Sequence, residues 1–419
     1  MSAIAQGDAA RASDELPEAS GGWFLVWALS IAQLVSWGSI YYGFSVFVVP
    51  MERDLGWSRT ETNGALSLGL LVSGLFAVAA GKWIDRRGGR LLMSLGSALG
   101  AILLAVWSQI DSLFMLYVVW FGLGLAMTAT LYEPVFAVLT RSFHRSYRVR
   151  ITALTLVGGF ASTVFIPLTQ YLIVQFGWRE ALEILALCNA AICLPIHLLL
   201  LRDGERERRS TFDRAELRRI SDDALRRALR HPTFWGLAVC FTAYYATFSA
   251  MTFHIIPLLT ERGFSTPIIV GVISVFGPAQ VMGRIVLLAA GKHLPTAMVG
   301  RFAVILFPIS IVILLAFPSS PTSIFAFGLI YGTANGVLTI IRGTSVPDLM
   351  WREGYGAING ALTFPSNIAK AIAPLGAAMI WELSGGYDVV LWTILVGAFV
   401  SAAGFWFAVA ASRSAKDKK

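Results

Sequence analysis

The chain has 419 residues, of which 56% are hydrophobic and only 14% charged, with a formal net charge of +8. Soluble domains carry about a quarter charged residues, so this composition excludes an ordinary soluble enzyme or binding domain. The basic residues lie in short loops between apolar stretches, which excludes a nucleic-acid-binding stripe. The cysteines show neither a disulfide pattern nor metal-ligand spacing; they are Cys188, Cys193 and Cys240.

Apolar stretches of about 20 residues recur after a polar N-terminal segment. The first 22 residues lack the basic start and short apolar core of a signal peptide, which predicts a flexible cytoplasmic tail. Each later stretch can cross about 30 Å of hydrocarbon, and such segments form helices because their main-chain groups then bond internally. Twelve transmembrane helices are predicted at 23–50, 63–82, 91–109, 113–140, 151–176, 181–201, 232–260, 268–290, 297–318, 322–342, 354–380 and 388–411. Interior prolines predict kinks at Pro134, Pro167, Pro278, Pro365 and Pro374.

An arginine-rich polar segment divides the predicted helices into two groups of six. Its helical spacing predicts a helix at the membrane surface, read as a linker that sets orientation or, as the less favoured alternative, as a site for anionic lipids. The predicted domains are an N-terminal tail at 1–22, a six-helix bundle at 23–201, the linker at 202–231, a second six-helix bundle at 232–411 and a C-terminal tail at 412–419.

The distribution of lysine and arginine predicts the orientation in the bilayer. The two tails and the loops after helices 2, 4, 6, 8 and 10, counted with Lys82 and Arg342 at the adjoining helix ends, carry 26 of these residues, whereas the loops on the other side carry 4. Because cytoplasmic loops hold the excess of basic residues, both termini are predicted to be cytoplasmic.

The two halves also repeat a short motif, since Ala-Ala-Gly-Lys occurs at 79–82 and again at 289–292. Two six-helix repeats around a long middle loop are a transporter architecture, with the substrate near the midplane between them. The loop after helix 2 carries Gly81, Asp85, Arg86, Gly88, Gly89 and Arg90, which resembles the signature loop of the major facilitator superfamily. The resemblance implies two pseudo-symmetric six-helix bundles, an all-α membrane fold and a monomer.

The same loop is expected to act as a cytoplasmic gate. Glycines such as Gly81 let helices approach closely, and Asp85 can pair with arginines at neighbouring helix ends, with Arg141 the expected partner. Arg86 and Arg90 either belong to this gate or only anchor the topology. The second copy of the loop lacks the acid and has Pro295 where Asp85 would align.

Two cations inside predicted helices give the sequence its likeness to the monocarboxylate and oxalate–formate branches of the superfamily. These branches carry an arginine in helix 8, here Arg284, and the oxalate–formate branch carries a lysine in helix 11, here Lys370. The glycine-rich drug-antiporter signature is absent from helix 5. Charges at bilayer depth cost about 3 kcal/mol each, so both cations are expected to hold an anionic substrate, with snorkelling or a structural ion pair as the alternative.

Two further ionisable residues are candidates for proton coupling. Glu133 lies beside Pro134 in helix 4, where it can carry a proton or act as the counter-ion of Arg284 or Lys370. His254 lies near the far end of helix 7, where it can couple proton movement or, as the favoured alternative, form interfacial hydrogen bonds.

Aromatic and amide side chains are expected to complete a small-ligand pocket around the two cations. Some of them can instead act as hydrogen-bonded contacts between helices. The expected pocket residues are Tyr41, Tyr42, Tyr132, Gln280, Asn335 and Asn367. The neighbouring run of Ser36, Trp37, Gly38 and Ser39 is expected only to pack.

The sequence contains no phosphate-binding Gly-x-x-x-x-Gly-Lys-Ser/Thr loop and no metal-ligand or nucleophile motif, so neither ATP, a metal nor a cofactor is expected. The expected protein is a secondary transporter, not an enzyme, in a bacterial-type inner membrane. Its expected partners are a mono- or dicarboxylate, protons or a counter-substrate, and the lipid bilayer. The alternatives are an exporter of a drug, metabolite or toxic oxyanion, and a membrane sensor that does not transport.

Overall fold

The computed structural model describes residues 22–143, 146–201, 214–290 and 294–416, and these residues form helices and no strand. Twelve long helices and one linker helix follow one another along the chain. Their bounds are Gly22–Leu55 (helix 1), Arg59–Arg87 (helix 2), Arg90–Trp107 (helix 3), Leu113–Ser142 (helix 4), Tyr147–Phe176 (helix 5), Trp178–Leu200 (helix 6), Arg214–Arg230 (linker helix), Pro232–Glu261 (helix 7), Thr266–Ala290 (helix 8), Thr296–Ala316 (helix 9), Pro321–Leu349 (helix 10), Tyr355–Ser384 (helix 11) and Tyr387–Lys416 (helix 12). The predicted all-α fold is confirmed.

Within the described residues, eleven of these helices are long and apolar enough to cross a membrane. Helix 11 is as long as its neighbours but less apolar, because Asn359, Asn367 and Lys370 interrupt its sequence. Asn359 and Lys370 are both buried among other helices. These two polar side chains of helix 11 therefore face the interior of the protein, as is usual for polar groups at bilayer depth.

Most predicted helix ends lie within four residues of the observed ones, but helices 1, 2, 10 and 12 continue five to seven residues further. The predictions stopped these helices at or within two residues of a charged residue, whereas helices extend beyond the hydrocarbon into the polar interface. Arg342 therefore lies inside helix 10 and not at its end, and helix 12 continues through the predicted C-terminal tail to Lys416. Most of the predicted N-terminal tail, residues 202–213 of the linker and positions 291–292 of the second repeat lie outside the described residues.

Two faces of the molecule are distinguished by the linker helix. The loops after helices 2 and 10 lie against it, since Asp222 of the linker helix contacts Arg86 and Arg227 contacts Glu353. We name this side the linker face and the opposite side, which carries the loops after the odd-numbered helices, the distal face. The core of helices 7 to 12 forms one hydrophobic cluster with parts of helices 4 and 5, and most of helices 1 to 6 form a second.

Helix 4 is broken in the middle by a proline. Pro134 has no N–H to donate to the carbonyl of Thr130, and the main chain opens at Leu131, where a second helical segment begins. The side-chain amide of Gln33 on helix 1 donates to the freed Thr130 carbonyl over 2.6 Å. This bond stabilises the break and places Glu133 in the first turn of the second segment.

Helices 2 and 11 join the two halves through main-chain contact on the linker side of the molecule. A Cβ atom added to Gly81 would lie 1.9 Å from the carbonyl oxygen of Gly356, and one added to Gly360 would lie 2.3 Å from that of Ala77. Real Cβ atoms do not approach so closely, so these positions admit only glycine while the helices keep this crossing.

Candidate functional site

Helix 1 contains a π-helical segment, Trp37–Tyr42, in which Gly43 donates its N–H to the carbonyl of Gly38, five residues back. Such segments insert an extra residue into a helix and occur frequently at functional sites. Here the segment places Trp37, Tyr41 and Tyr42 in one cluster, with ring centroids 5.0–6.0 Å from their neighbours. All three side chains are half-buried although they lie in the middle of a helix.

The ammonium group of Lys370 lies against this aromatic cluster. Its Nζ is 4.1 Å from the ring centre of Tyr41 and 5.7 Å from that of Trp37, and the residue is only 7% exposed. Tyr42 and Glu133 are its electrostatic neighbours. The ring quadrupoles of these aromatic faces favour the positively charged form of the lysine.

A proline and a serine fix the backbone of helix 11 at the same position. Pro374 cannot donate to the carbonyl of Lys370, and the hydroxyl of Ser249 on helix 7 donates to that carbonyl over 2.6 Å. The backbone that carries the lysine is therefore held from a neighbouring helix.

Helix 4 lies beside the aromatic cluster of helix 1. The ring of Tyr132 lies 5.0 Å from Trp37 and stacks on Phe136 at 5.3 Å. Glu133 lines a small cavity between helices 2, 4 and 11, and it forms neither a hydrogen bond nor an ion pair with any residue that the structure describes. Its carboxyl group is therefore available to a proton or to an ion that enters the cavity.

Arg284 lies between the two halves and is 2% exposed. Its guanidinium donates to the carbonyl of Thr155 on helix 5 over 2.7 Å and to that of Gly336 on helix 10 over 3.3 Å. A Cβ atom at Gly159 would lie 1.6 Å from the guanidinium, so the glycine makes room for the arginine to reach helix 5. Tyr42 and Tyr132 both have Arg284 as an electrostatic neighbour.

The three predicted amide residues lie in helix crossings around the cluster. Asn335 accepts a hydrogen bond from Tyr244 within the second half. Asn367 lies 3.4 Å from the hydroxyl of Ser73 where helices 11 and 2 cross. Gln280 is half-buried where its main chain meets helix 10.

His254 lies apart from the cluster, toward the distal end of helix 7. One ring nitrogen is 3.0 Å from the hydroxyl of Tyr387 and the other 2.9 Å from the carbonyl of Pro374. Both nitrogens therefore have partners within the second half. The structure brings together Lys370, Arg284, Tyr41, Tyr42, Tyr132 and Glu133 from the predicted set, and adds Trp37.

At the linker face, the carboxylate of Asp85 binds the N-terminus of helix 11. The main-chain N–H groups of Gly356 and Ala357 each donate to it over 2.9 Å, and Ser221 of the linker helix donates over 3.2 Å. A carboxylate at a helix N-terminus is stabilised by the free N–H groups and the helix dipole. Asp85 thus connects the two halves directly.

The arginines of the signature loop have different partners. Arg141 donates to the main-chain carbonyls of Ile84 and Asp85, at 2.8 and 2.5 Å, and so holds the end of helix 2. Arg86 pairs with Asp222 of the linker helix at 3.0 Å, whereas Arg90 donates to the carbonyl of Leu198 within the first half. The ammonium of Lys82, 2.7 Å from Asp222, holds the pKa of that carboxyl below its usual range.

A second acid, Asp348, joins the halves on the same face. It accepts hydrogen bonds from Tyr147 at the start of helix 5 and from Thr296, and it pairs with Arg148 at 2.8 Å. Helix 5 belongs to the first half and helix 10, which carries Asp348, to the second. Sequence reasoning missed this contact, although the missing acid at Pro295 was a signal to look for another acid in the second half.

The comparisons with known proteins identify the family of the chain. The model of the Major Facilitator Superfamily matches residues 29–374. The chain belongs to the major facilitator superfamily. Among curated relatives of this transporter, monocarboxylate transporter 13 from Bos taurus is 24% identical over 397 residues, covering 93% of this chain and 89% of that protein. An uncharacterised MFS-type transporter, YcxA from Bacillus subtilis, is 18% identical over 389 residues, covering 91% and 93%.

Solved structures of other transporters of the superfamily share the fold. The fucose transporter FucP in the outward conformation gives a TM-score of 0.71 at 15% identity, covering 91% of this chain and 97% of that one. The human organic anion transporter MFSD10 gives a TM-score of 0.68 at 16% identity, covering 92% and 98%. The chain is therefore a multi-pass membrane transporter, similar to monocarboxylate transporters in sequence.

Proposed function

We propose that this transporter moves a small organic anion, a mono- or dicarboxylate, by secondary active transport with alternating access. One observation carries the proposal: the buried Lys370 ammonium faces the half-buried rings of helix 1, and the guanidinium of Arg284 lies in the same electrostatic neighbourhood. Glu133 is the carboxylate in that neighbourhood. Two cations beside one acid leave a positive charge that a substrate carboxylate neutralises.

Each residue of the cluster has a distinct role in this mechanism. Lys370 provides a point charge for the carboxylate, while the rings of Trp37, Tyr41 and Tyr132 exclude water and bind the apolar part of the substrate. Arg284 contacts main-chain carbonyls of both halves, so its guanidinium can reorient toward the anion as the halves rock. The names of the relatives support this substrate class, since they include a monocarboxylate transporter and an organic anion transporter.

We assign proton coupling to Glu133. It shares the site with the cations and has no bonded partner among the described residues, whereas both ring nitrogens of His254 have partners. The ionisable groups around Glu133 are Lys370 on helix 11, Tyr132 on its own helix, Tyr245 on helix 7 and Tyr355 at the start of helix 11. Protonation of Glu133 would let an anion approach Lys370 without competition from a second negative charge, which couples proton and anion in symport.

The excess of basic residues on the linker face supports a cytoplasmic position for that face, in a bacterial-type inner membrane with both termini inside. The gate contacts of Asp85 and Asp348 close the linker face, so the conformation corresponds to the outward-facing side of the cycle.

The proposal is tested by uptake and counterflow in proteoliposomes with a panel of labelled carboxylates, with and without a pH gradient. We expect the wild type to show saturable uptake and the variants Lys370→Gln and Arg284→Gln to lose it. Loss of gradient dependence with retained exchange is expected in Glu133→Gln. If no carboxylate moves, or if both cation variants transport normally, the carboxylate site is refuted and export of a drug, metabolite or oxyanion becomes the leading function.

A further inference from the structure

A third buried cation, Arg342, lies in helix 10 and is 3% exposed. Its guanidinium donates to the side-chain and main-chain oxygens of Asn359 and, over 2.7 Å, to the hydroxyl of Thr363. The ring of Phe241 lies 4.9 Å from its central carbon. The side chain is therefore held in place by helices 7 and 11 of its own half.

The charge of Arg342 is not neutralised by an ion pair. All the acceptors of its guanidinium are uncharged, and no carboxylate of the described residues pairs with it. Its Nε–H is buried and has no acceptor among the residues that the structure describes. A hydrogen-bonded strut between helices 10 and 11 needs no positive charge, because a neutral amide can donate two of these three bonds. A buried guanidinium with a free donor indicates instead a site that receives an anion.

The residues that hold Arg342 also form one wall of a cavity. Asn359 and Thr363 line it from helix 11, while Ser73, Thr128 and Glu133 line it from helices 2 and 4. In the present conformation the cavity has room for about one water molecule. Because its two walls belong to different halves, the cavity widens when the halves separate at the linker face.

The position of Arg342 places it between the central site and the linker face. Gly336, which binds Arg284 through its carbonyl, lies six residues earlier in helix 10. At 1.5 Å per residue, Arg342 is about 9 Å nearer the linker face. It also shares Tyr245 with Glu133 as an electrostatic neighbour, so it adjoins the central cluster.

We propose that Arg342, cradled by Asn359 and Thr363, is a second anion-binding subsite, which receives the substrate carboxylate from Lys370 and Arg284 when the linker face opens. The identity of the anion as a carboxylate rests on the proposed function. The planar guanidinium fork can bind a carboxylate in two parallel hydrogen bonds. The unpaired Nε–H takes part in this pair, and the carboxylate replaces an uncharged acceptor of a terminal nitrogen.

The test compares Arg342→Gln, Arg342→Lys and the exposed control Arg219→Gln, each in proteoliposomes and in detergent, with labelled pyruvate as the probe. Arg342→Gln is expected to bind pyruvate within about threefold of the wild-type affinity but to slow counterflow at least tenfold, since the central site is intact. Arg342→Lys keeps the charge and is expected to retain at least a third of the wild-type rate. Arg219→Gln removes one charge from the linker helix and is expected to transport normally.

Two results would contradict the proposed anion-binding subsite at Arg342. One is counterflow of Arg342→Gln equal to that of Arg219→Gln. The other is a large fall in Tm in both Arg342 variants with transport lost in proportion to the folded fraction, which indicates a structural strut.

A separate measurement applies if the wild type moves no carboxylate of the labelled panel, pyruvate included, so that the proposed function fails. The Tm of the Arg284→Gln/Lys370→Gln double variant is then measured in sodium formate and in sodium gluconate at equal ionic strength. A formate-dependent rise that disappears when Arg342→Gln is added supports an anion site at Arg342 independently of transport. No such rise overturns it.

Discussion

The two faces of the molecule differ in what their polar contacts connect. At the linker face Asp85 and Asp348 bind partners across the two halves. At the distal face Arg179 pairs with Asp54 and Asp111 inside the first half, and Arg262 pairs with Asp388 inside the second. Contacts between halves must break in each transport cycle, whereas contacts within a half need not. We therefore expect the linker-face contacts to set the conformational equilibrium, and the distal ones to stabilise each half separately.

The largest effect is expected at the crossing of helices 2 and 11. Gly81→Ala places a methyl group 1.9 Å from the carbonyl oxygen of Gly356, so the linker face cannot close as it does here. Transport is expected to fall by more than about 30-fold, which corresponds to about 2 kcal/mol against the closed state. Proteoliposome uptake measures this effect.

Gly376→Ala is the matched control, on the distal half of the same helix 11. A Cβ atom there meets nothing within 4 Å. Uptake within about twofold of wild type is expected. Equal losses in both variants would show that the crossing on the linker side has no special role.

Asp348→Asn is expected to give the next largest effect. It removes an ion pair with Arg148 and weakens the bonds from Tyr147 and Thr296, at a site where the acid side chain is only 7% exposed. Loss of hydrogen bonds to a charged group costs about 2 kcal/mol, so the linker-open population should rise roughly 30-fold. Labelling of a single cysteine placed on the linker side of the cavity measures that population; an unchanged labelling rate would contradict the role of Asp348.

Asp85→Asn should act in the same direction with a smaller magnitude. The amide can still accept one hydrogen bond from Gly356 or Ala357, but it loses the charge that complements the N-terminus of helix 11. Caps of this kind contribute about 1 kcal/mol, which predicts roughly a fivefold rise in cysteine labelling. The two acids bind different helices, so we expect the effects of Asp85→Asn and Asp348→Asn on cysteine labelling to add in the double variant. A double variant that labels no faster than Asp348→Asn would refute an independent contribution of Asp85.

The smallest effect is expected at the distal face. Arg179→Gln removes exposed pairs with Asp54 and Asp111, and exposed ion pairs contribute less than about 1 kcal/mol. A decrease in Tm of a few degrees at most is expected, with cysteine labelling on the linker side unchanged. A labelling change as large as that of Asp348→Asn would remove the distinction between the two faces.

The fold was predictable from the sequence because hydrophobic length and basic loops are strong signals in a membrane chain. The cations Arg284 and Lys370 were also predictable, since charge at bilayer depth is rare. Trp37 was expected only to pack, because its role depends on the π-helical segment, which no residue pattern reveals. Arg342 was predicted to lie at a helix end, because a charged residue in the sequence is as typical of the membrane–water interface as of a buried functional site. Only the three-dimensional packing distinguishes these two positions.

The groups that bind the Asp85 carboxylate could not be predicted from the sequence either. In the sequence, an aspartate beside several arginines predicts an ion pair. In the structure, the main-chain N–H groups of Gly356 and Ala357 bind the carboxylate. Main-chain donors are present at every helix start, so which one an acid reaches depends on how the halves pack.

The most direct test of alternating access around the anion site is a pair of distances measured by pulsed electron paramagnetic resonance, in a variant whose three cysteines are replaced. One spin-label pair joins Arg53 and Glu382 at the distal face, and the other joins Arg87 and Arg413 at the linker face; all four residues are exposed. On addition of a transported carboxylate at low pH, the distal distance is expected to shorten and the linker-face distance to lengthen, with neither change in Lys370→Gln. Two distances that stay fixed in the wild type, or that respond equally in Lys370→Gln, would contradict the account.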